Sequence, residues 1–362
     1  MDKVLNLIPS PDVSPLPSPP ELFIFFIVFT FIIHILFMNL TLGGSILFVI
    51  SKYFSKDKFK GIAKEIGSVN TFNISLTITT GIAPLLFYQV VYGQFFYSSS
   101  ILLGWKWLFA LIAIVSAYYG YYLYKMKPGY LKDGEDAGGG FVVVATVLFI
   151  YVALMLTTNT VLSLEPDKWL SIYKGKSSVF SLTEIFPRLL HFIFASIAFT
   201  GVFLMVYSKL RGSISKELKE AMYDFGKNSF VYATMIQIPV GLFFLFSLKS
   251  EAMALLLGGS KVGFYFWLIG MFTAFLGVYY VFKKRETTLL LSTLILVSIV
   301  CMSIVRRVVE DGYWSKYFDY ATLKVAAQWD VFGLFAILLV ALLVLLFYTL
   351  KRNVKELSEF KK

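Results

Sequence analysis

The chain has one cysteine, two histidines and few charges: Asp, Glu, Lys and Arg make up only 15% of its 362 residues. The solitary Cys301 excludes an intrachain disulfide, a cysteine-held iron–sulfur cluster and the C-x-x-C-H attachment of covalent haem. Any redox centre must therefore be held by histidine, methionine or carboxylate. The scarcity of charge, beside 58% hydrophobic and 18% aromatic residues, excludes a soluble domain. The N-terminal segment lacks the apolar core of a signal peptide, and its six prolines from Pro9 to Pro20 favour an extended arm.

What the chain does have is a series of apolar runs long enough to cross a bilayer, about 20 residues each. They lie at 22–50, 68–91, 103–124, 141–163, 183–208, 222–248, 261–282, 287–306 and 330–350. None shows the alternation of a barrel strand, so helices are the spanning solution that satisfies every backbone group. The expectation is an all-α polytopic transmembrane bundle of about nine helices, with residues 1–21 as a Pro-rich outer arm and 22–362 as one membrane domain. With the N-terminus outside and the C-terminus inside, twenty of the 33 Lys and Arg fall in inner segments, as the positive-inside rule requires. The net charge of +11 then reflects topology and contact with anionic membrane lipid, and calls for no nucleic-acid partner.

All six tryptophans fall at or near the outer surface in this topology, as an interfacial belt or as a docking face for an external donor. The longest connections, 164–182 and 307–329, carry Trp169 and Trp314 among mixed charges and are expected to lie along the outer surface and cap what is beneath. Arg306 and Arg307 are placed at the outer end of the eighth helix, as snorkelling residues or as a clamp for cofactor carboxylates.

Both histidines, His34 and His191, sit inside predicted helices in the outer half of the bilayer. A buried imidazole must spend its N–H and its lone pair on something, either a neighbouring Ser, Thr or carbonyl, or a metal. Haem iron is a common intramembrane use of such a ligand. Arg188, one turn before His191, suits either a haem propionate or an ion pair with Glu184 at i−4.

The residues around both histidines resemble a known family. H34-I-L-F-M-N-L-T-L-G43 is similar to the first-helix motif of subunit I of the cytochrome bd-type quinol oxidases, and R188-L-L-H191 followed by Gly201 resembles that subunit's fifth-helix segment. T80-G-I-A-P-L-L-F-Y-Q-V-V-Y-G-Q-F-F-Y97 is similar to the family's glycine- and aromatic-rich passage, about one helical turn longer. The resemblance implies one or two b-type haems. His34 would be axial ligand of a high-spin, oxygen-reactive haem of unassigned type, and His191 a ligand of a low-spin haem b with Arg188 at its propionate.

The chain departs from the family in three places. Leu268 stands near the position of the second low-spin ligand, with Met271 three residues on, and Met38 and Met302 are rival sulfur donors. The eighth helix ends C301-M-S-I-V-R-R-V-V-E310, which places Glu310 beyond the predicted membrane core, and residues 249–260 are too short for the usual quinol loop. No acid lies mid-helix, so a proton path would use groups such as Thr77, Asn159 and Gln237 with water.

The resemblance thus implies a membrane cytochrome, terminal-oxidase-like, in the cytoplasmic membrane of a prokaryote. It would take electrons from an external donor, a cytochrome c or another redox subunit, beside a second membrane subunit, and pass them to an acceptor, dioxygen in the fullest form of the reading. Three alternatives stay open: a single haem ligated by both histidines, a cofactor-free transporter, and a membrane anchor for a peripheral redox subunit.

Overall fold

The computed structural model describes residues 8–9, 14–126, 138–212, 214–283, 288–338 and, beyond these, 340, 341, 344, 345 and 348. The described residues form eight long apolar helices: α1 (Pro20–Val49), α2 (Asp57–Leu103), α3 (Trp105–Met126), α4 (Gly139–Leu164), α5 (Leu182–Leu210), α6 (Lys216–Phe246), α7 (Lys261–Lys283) and α8 (Thr288–Trp314). Each is long and apolar enough to cross a membrane. A shorter apolar helix, α9 (Trp329–Leu338), covers the start of the expected ninth span, whose remainder lies largely outside the described residues.

The described residues fall into two compact units, one of Phe25–Phe318 and one combining Asp12–Ile24 with Asp319–Lys362. In the second, Leu16 N donates to Lys324 O at 2.7 Å and Ala326 N to Leu16 O at 2.9 Å, a single parallel bridge.

In the first unit, successive helices run antiparallel. Along α1 and α2, His34 meets Thr77, Thr41 meets Asn73 and Ser45 meets Asn70, a register that descends on one helix as it rises on the other. Along α5 and α6, His191 faces Gln237 and Gly201 faces Gly226. The end at which α1, α3, α5 and α7 begin is called here the near end.

Small residues set the closest approaches. A Cβ on Gly43 would lie 2.1 Å from the Ser196 carbonyl of α5, and a Cβ on Gly201 2.6 Å from the Gly226 carbonyl of α6. Backbones that meet this closely leave room for hydrogen. Ser196 Oγ donates to Asn39 Oδ1 at 2.9 Å and Thr200 Oγ to Asn39 O at 3.1 Å, which pins α5 to α1.

Three boundaries differ from the sequence expectation. α2 starts at Asp57 and runs 47 residues, kinked at Tyr92 (φ −121°, ψ 26°) two turns after Pro84, which cannot donate to the Thr80 carbonyl. The segment 57–67 is too charged to score as membrane-spanning, yet it carries the helix on, burying Ile62, Ala63 and Ile66. α8 continues to Trp314, so 307–314 is helix and not loop, held by the i,i+4 pairs Arg306–Glu310 (2.8 Å) and Arg307–Asp311.

Candidate functional site

His34 is half-buried on α1 and turned toward α2. Its Nδ1 lies 3.1 Å from the Thr77 carbonyl, so that nitrogen carries the proton and Nε2 keeps its lone pair. Gly81, one turn further along α2, makes the approach possible: a Cβ there would lie 2.9 Å from the ring Cε1. An imidazole held by a backbone carbonyl through one nitrogen is fixed in orientation, and its other nitrogen is left to accept or to ligate.

A polar ladder continues from this point toward the far end. Thr77 Oγ and Thr41 Oγ are 2.7 Å apart, Asn73 Nδ2 donates to Thr41 Oγ at 2.8 Å, and Asn70 Nδ2 donates to Ser45 Oγ at 3.1 Å and Tyr121 OH at 2.9 Å. These bonds fix α1 against α2 and α3, so Tyr121 is a buried structural partner. Asn159 is likewise engaged, with Ser99 and Ser100 at 3.2 and 2.9 Å.

His191 stands on α5 and faces α6, with the Phe244 ring centroid 5.6 Å from its own and Gly241 beside Nδ1. Gln237 Nε2 donates to the His191 carbonyl at 3.0 Å. The His191 Nδ1 and Gln237 Oε1 are both buried without a partner.

The two histidines occupy one level. The contact Asn39–Ser196 sets the offset between the parallel helices α1 and α5 at 157 positions, and His34 and His191 differ by the same number. Each lies five residues before that contact, a rotation of about 140° at 3.6 residues per turn. The rings therefore point away from the α1–α5 interface, His34 to α2 and His191 to α6. A single group ligated by both from opposite faces does not fit this geometry.

Arg188 is 8% exposed and lies one turn nearer the near end than His191, on the same face of α5. The expected ion pair with Glu184 does not form: Glu184 is bonded to Lys168 at 2.8 Å. Arg188 Nε is buried without an acceptor, and no ion pair or hydrogen bond reaches the guanidinium among the described residues. Its companions are rings, Phe244 at 5.0 Å and Tyr313 at 5.9 Å. A guanidinium buried without an anion costs several kcal/mol, on the order of what a buried ion loses with its partner removed.

Arg306 and Arg307 are not at a helix end. Both lie about two turns inside α8, and Glu310, placed by the sequence beyond the membrane core, is a 3% exposed residue of the same helix bonded to both. Arg306 also lies over the Phe31 ring at 4.3 Å, one turn from His34. Arg307 donates to Asp311 through Nε and Nη2, to Glu310 through Nη1 at 3.3 Å and to Tyr92 OH at 2.6 Å. Four of its five N–H groups are thus spent. Both arginines hold carboxylates that the chain itself supplies.

Met271 is half-buried on α7, beside the contact at Gly270 where the Met302 methyl is seated on α8. Met302 is thus a packing residue, and Met38 packs on the core cluster of Phe48 and Tyr121.

The near end is closed by aromatic rings. Trp314 stacks on Tyr92 at 4.4 Å and on Phe95 at 5.3 Å, and its Nε1 donates to the Ser163 carbonyl at 2.9 Å. Trp169 donates to the Leu162 carbonyl at 2.8 Å. Both indoles are buried, so neither belongs to an interfacial belt, whereas Trp105 and Trp329 are exposed.

Around this cap lies a charged cluster that the sequence did not single out. Glu165 is 2% exposed and pairs with Lys168 at 2.6 Å and Lys249 at 3.2 Å. Burial and the adjoining Glu184 carboxyl push Glu165 above the usual carboxylate range, against the pull of Lys168 and Lys249. Asp167 moves the other way: burial raises it, but the bond from Tyr317 and the ammonium groups of Lys316 and Lys249 hold it below that range.

Compared with protein-family models and with curated proteins, this chain has no match.

Proposed function

We propose that this chain is a membrane-bound b-type cytochrome, with haem at His191 and Arg188 and a second haem site at His34. The observation that carries the reading is the pair Arg188 and His191: a guanidinium Nε and an imidazole Nδ1, one turn apart on one helix face, both buried and neither hydrogen bonded among the described residues. A ligand that satisfies both must present an anionic oxygen and an electron-pair acceptor. Haem b presents both.

In this proposal Arg188 would bind a haem propionate through charge-assisted hydrogen bonds, and His191 would hold the iron. Met271 would be a candidate second residue to hold that iron. Phe244 and Tyr313 keep water from the guanidinium and raise the strength of its interaction. At the other site Thr77 orients His34 so that Nε2 is presented for ligation, while Arg306, neutralised by Glu310, places no bare positive charge beside it. Bound haem would supply one-electron exchange. The near end would face outward in a prokaryotic cytoplasmic membrane, toward an external donor such as a cytochrome c, with a second membrane subunit alongside and dioxygen as acceptor at His34.

The test is a reduced-minus-oxidised visible spectrum with pyridine haemochrome quantification, on detergent-purified wild type, His34→Ala and His191→Ala. Haem bands that weaken in each variant separately support two centres. A colourless protein after haem-sufficient expression overturns the reading and moves the weight to transport or anchoring.

A further inference from the structure

Glu184, Arg188 and His191 stand at i, i+4 and i+7 on α5, so they form one stripe descending from the near end. At the top of that stripe Glu184 meets Glu165, which closes α4. Lys168 Nζ lies between the two carboxyls, 2.6 Å from Glu165 Oε2 and 2.8 Å from Glu184 Oε1, Lys249 takes Glu165 Oε1 at 3.2 Å, and Glu184 Oε2 is buried with no donor among the described residues. Two carboxylates held by one ammonium repel unless one of them carries a proton, which then serves as the donor that Glu184 Oε2 lacks.

Charges from every element packed on the pair bear on it. Lys168 and Asp167 follow α4, Lys249 precedes the turn Ser250–Ala254, Lys316 follows α8, Tyr313 lies on α8, and Arg188 is on α5 itself. With the pair fully ionised, the three carboxylates Glu165, Glu184 and Asp167 balance Lys168, Lys249 and Lys316. Glu251 also faces Lys249 and Lys316 but is exposed to solvent, so among the other groups Arg188 is left over, and an anionic group on it makes them neutral. Glu310 and Asp311 are already balanced by Arg306 and Arg307. An electron added near His191, about 10 Å down the stripe from Glu184, then leaves one negative charge uncompensated in a medium that screens poorly.

We propose that Glu165 and Glu184 form a proton-binding site that takes up one proton from the near side for each electron received at the His191 centre and releases it on reoxidation. The electron comes from the external one-electron donor, the proton from water at the near surface, and no bond other than the carboxyl O–H forms or breaks. Lys168, bonded to both carboxyls, positions the pair. The coupling rests on the haem reading; the shared proton does not.

Two measurements on the whole purified protein separate these claims. Infrared spectra across pH 5 to 9 are expected to show the C=O stretch of a protonated carboxyl in wild type, lost in Glu165→Gln and in Glu184→Gln. Redox titration of the haem band is expected to show a midpoint potential that falls with pH, approaching about 59 mV per unit where the pair titrates. Glu165→Gln should flatten that slope at least twofold with the band unchanged. An equal slope in the variant, or a flat wild-type line, overturns the coupling. Absence of the carboxyl band at pH 5 overturns the shared proton. A protein without haem removes the coupling and the cofactor reading together, while the infrared band still decides on the proton.

Discussion

At the scale of single residues, the chain spends its few buried charges unequally. Arg307 is saturated by Asp311, Glu310 and Tyr92, whereas Arg188 has only rings around it. Removing one member of a saturated buried pair strands its partners. Arg307→Ala is expected to cost about 3–5 kcal/mol in detergent unfolding. Arg306→Ala, whose side chain is 31% exposed, is expected to cost less. Arg188→Gln behaves differently: it removes a lone charge, so the cofactor-free protein should unfold no more easily. Haem affinity, measured by titration of the stripped protein, should fall about 10- to 100-fold as the charge-assisted bond is lost. A variant that binds haem as tightly as wild type would show that Arg188 does not meet the propionate.

Helices were legible in the sequence where hydrophobicity marks them and were misread where charge hides them. The apolar runs located all eight long helices of the described chain, and an ionisable residue in such a run marked His34, His191 and Arg188. Hydropathy drops at Arg306, which suggested a helix end, but the pairs Arg306–Glu310 and Arg307–Asp311 neutralise each other and carry α8 two turns further. Trp314 was read as interfacial because indoles favour the membrane surface, yet its stack on Tyr92 depends on the α2 kink, which no local pattern announces. The same holds for Glu165, which meets Lys249 directly and Glu184 through Lys168, groups from two other segments. Glycine was readable as a sign of close packing but not as to which neighbour it admits. Gly43→Ala and Gly201→Ala are expected to destabilise by about 1–3 kcal/mol through overpacking, since backbone carbonyls cannot yield. Gly140→Ala, with open space around it, should be neutral in the same unfolding assay.

For the molecule as a whole, the near end is where its stability responds to acid. Asp167 is held below the ordinary carboxylate range by Tyr317, Lys316 and Lys249, after burial has raised it. A depressed folded-state pKa gives stability that is present above the unfolded value and is lost as pH falls through the folded one. Melting temperature in detergent should therefore drop below about pH 4, starting at the unfolded value, and Asp167→Asn should remove part of that drop. An unchanged acid limb would show that Asp167 contributes nothing to it.

The matched level of His34 and His191 has an electrical meaning. A charge that crosses a whole membrane works against about 2.3 kcal/mol per 100 mV, but a charge moved sideways at constant depth works against none of it. Electron exchange between centres held at these two positions is blind to membrane voltage. In proteoliposomes, a potassium diffusion potential should leave the redox balance between the two centres unaltered. Whatever energy such a protein stores across the bilayer must come from the separate travel of protons.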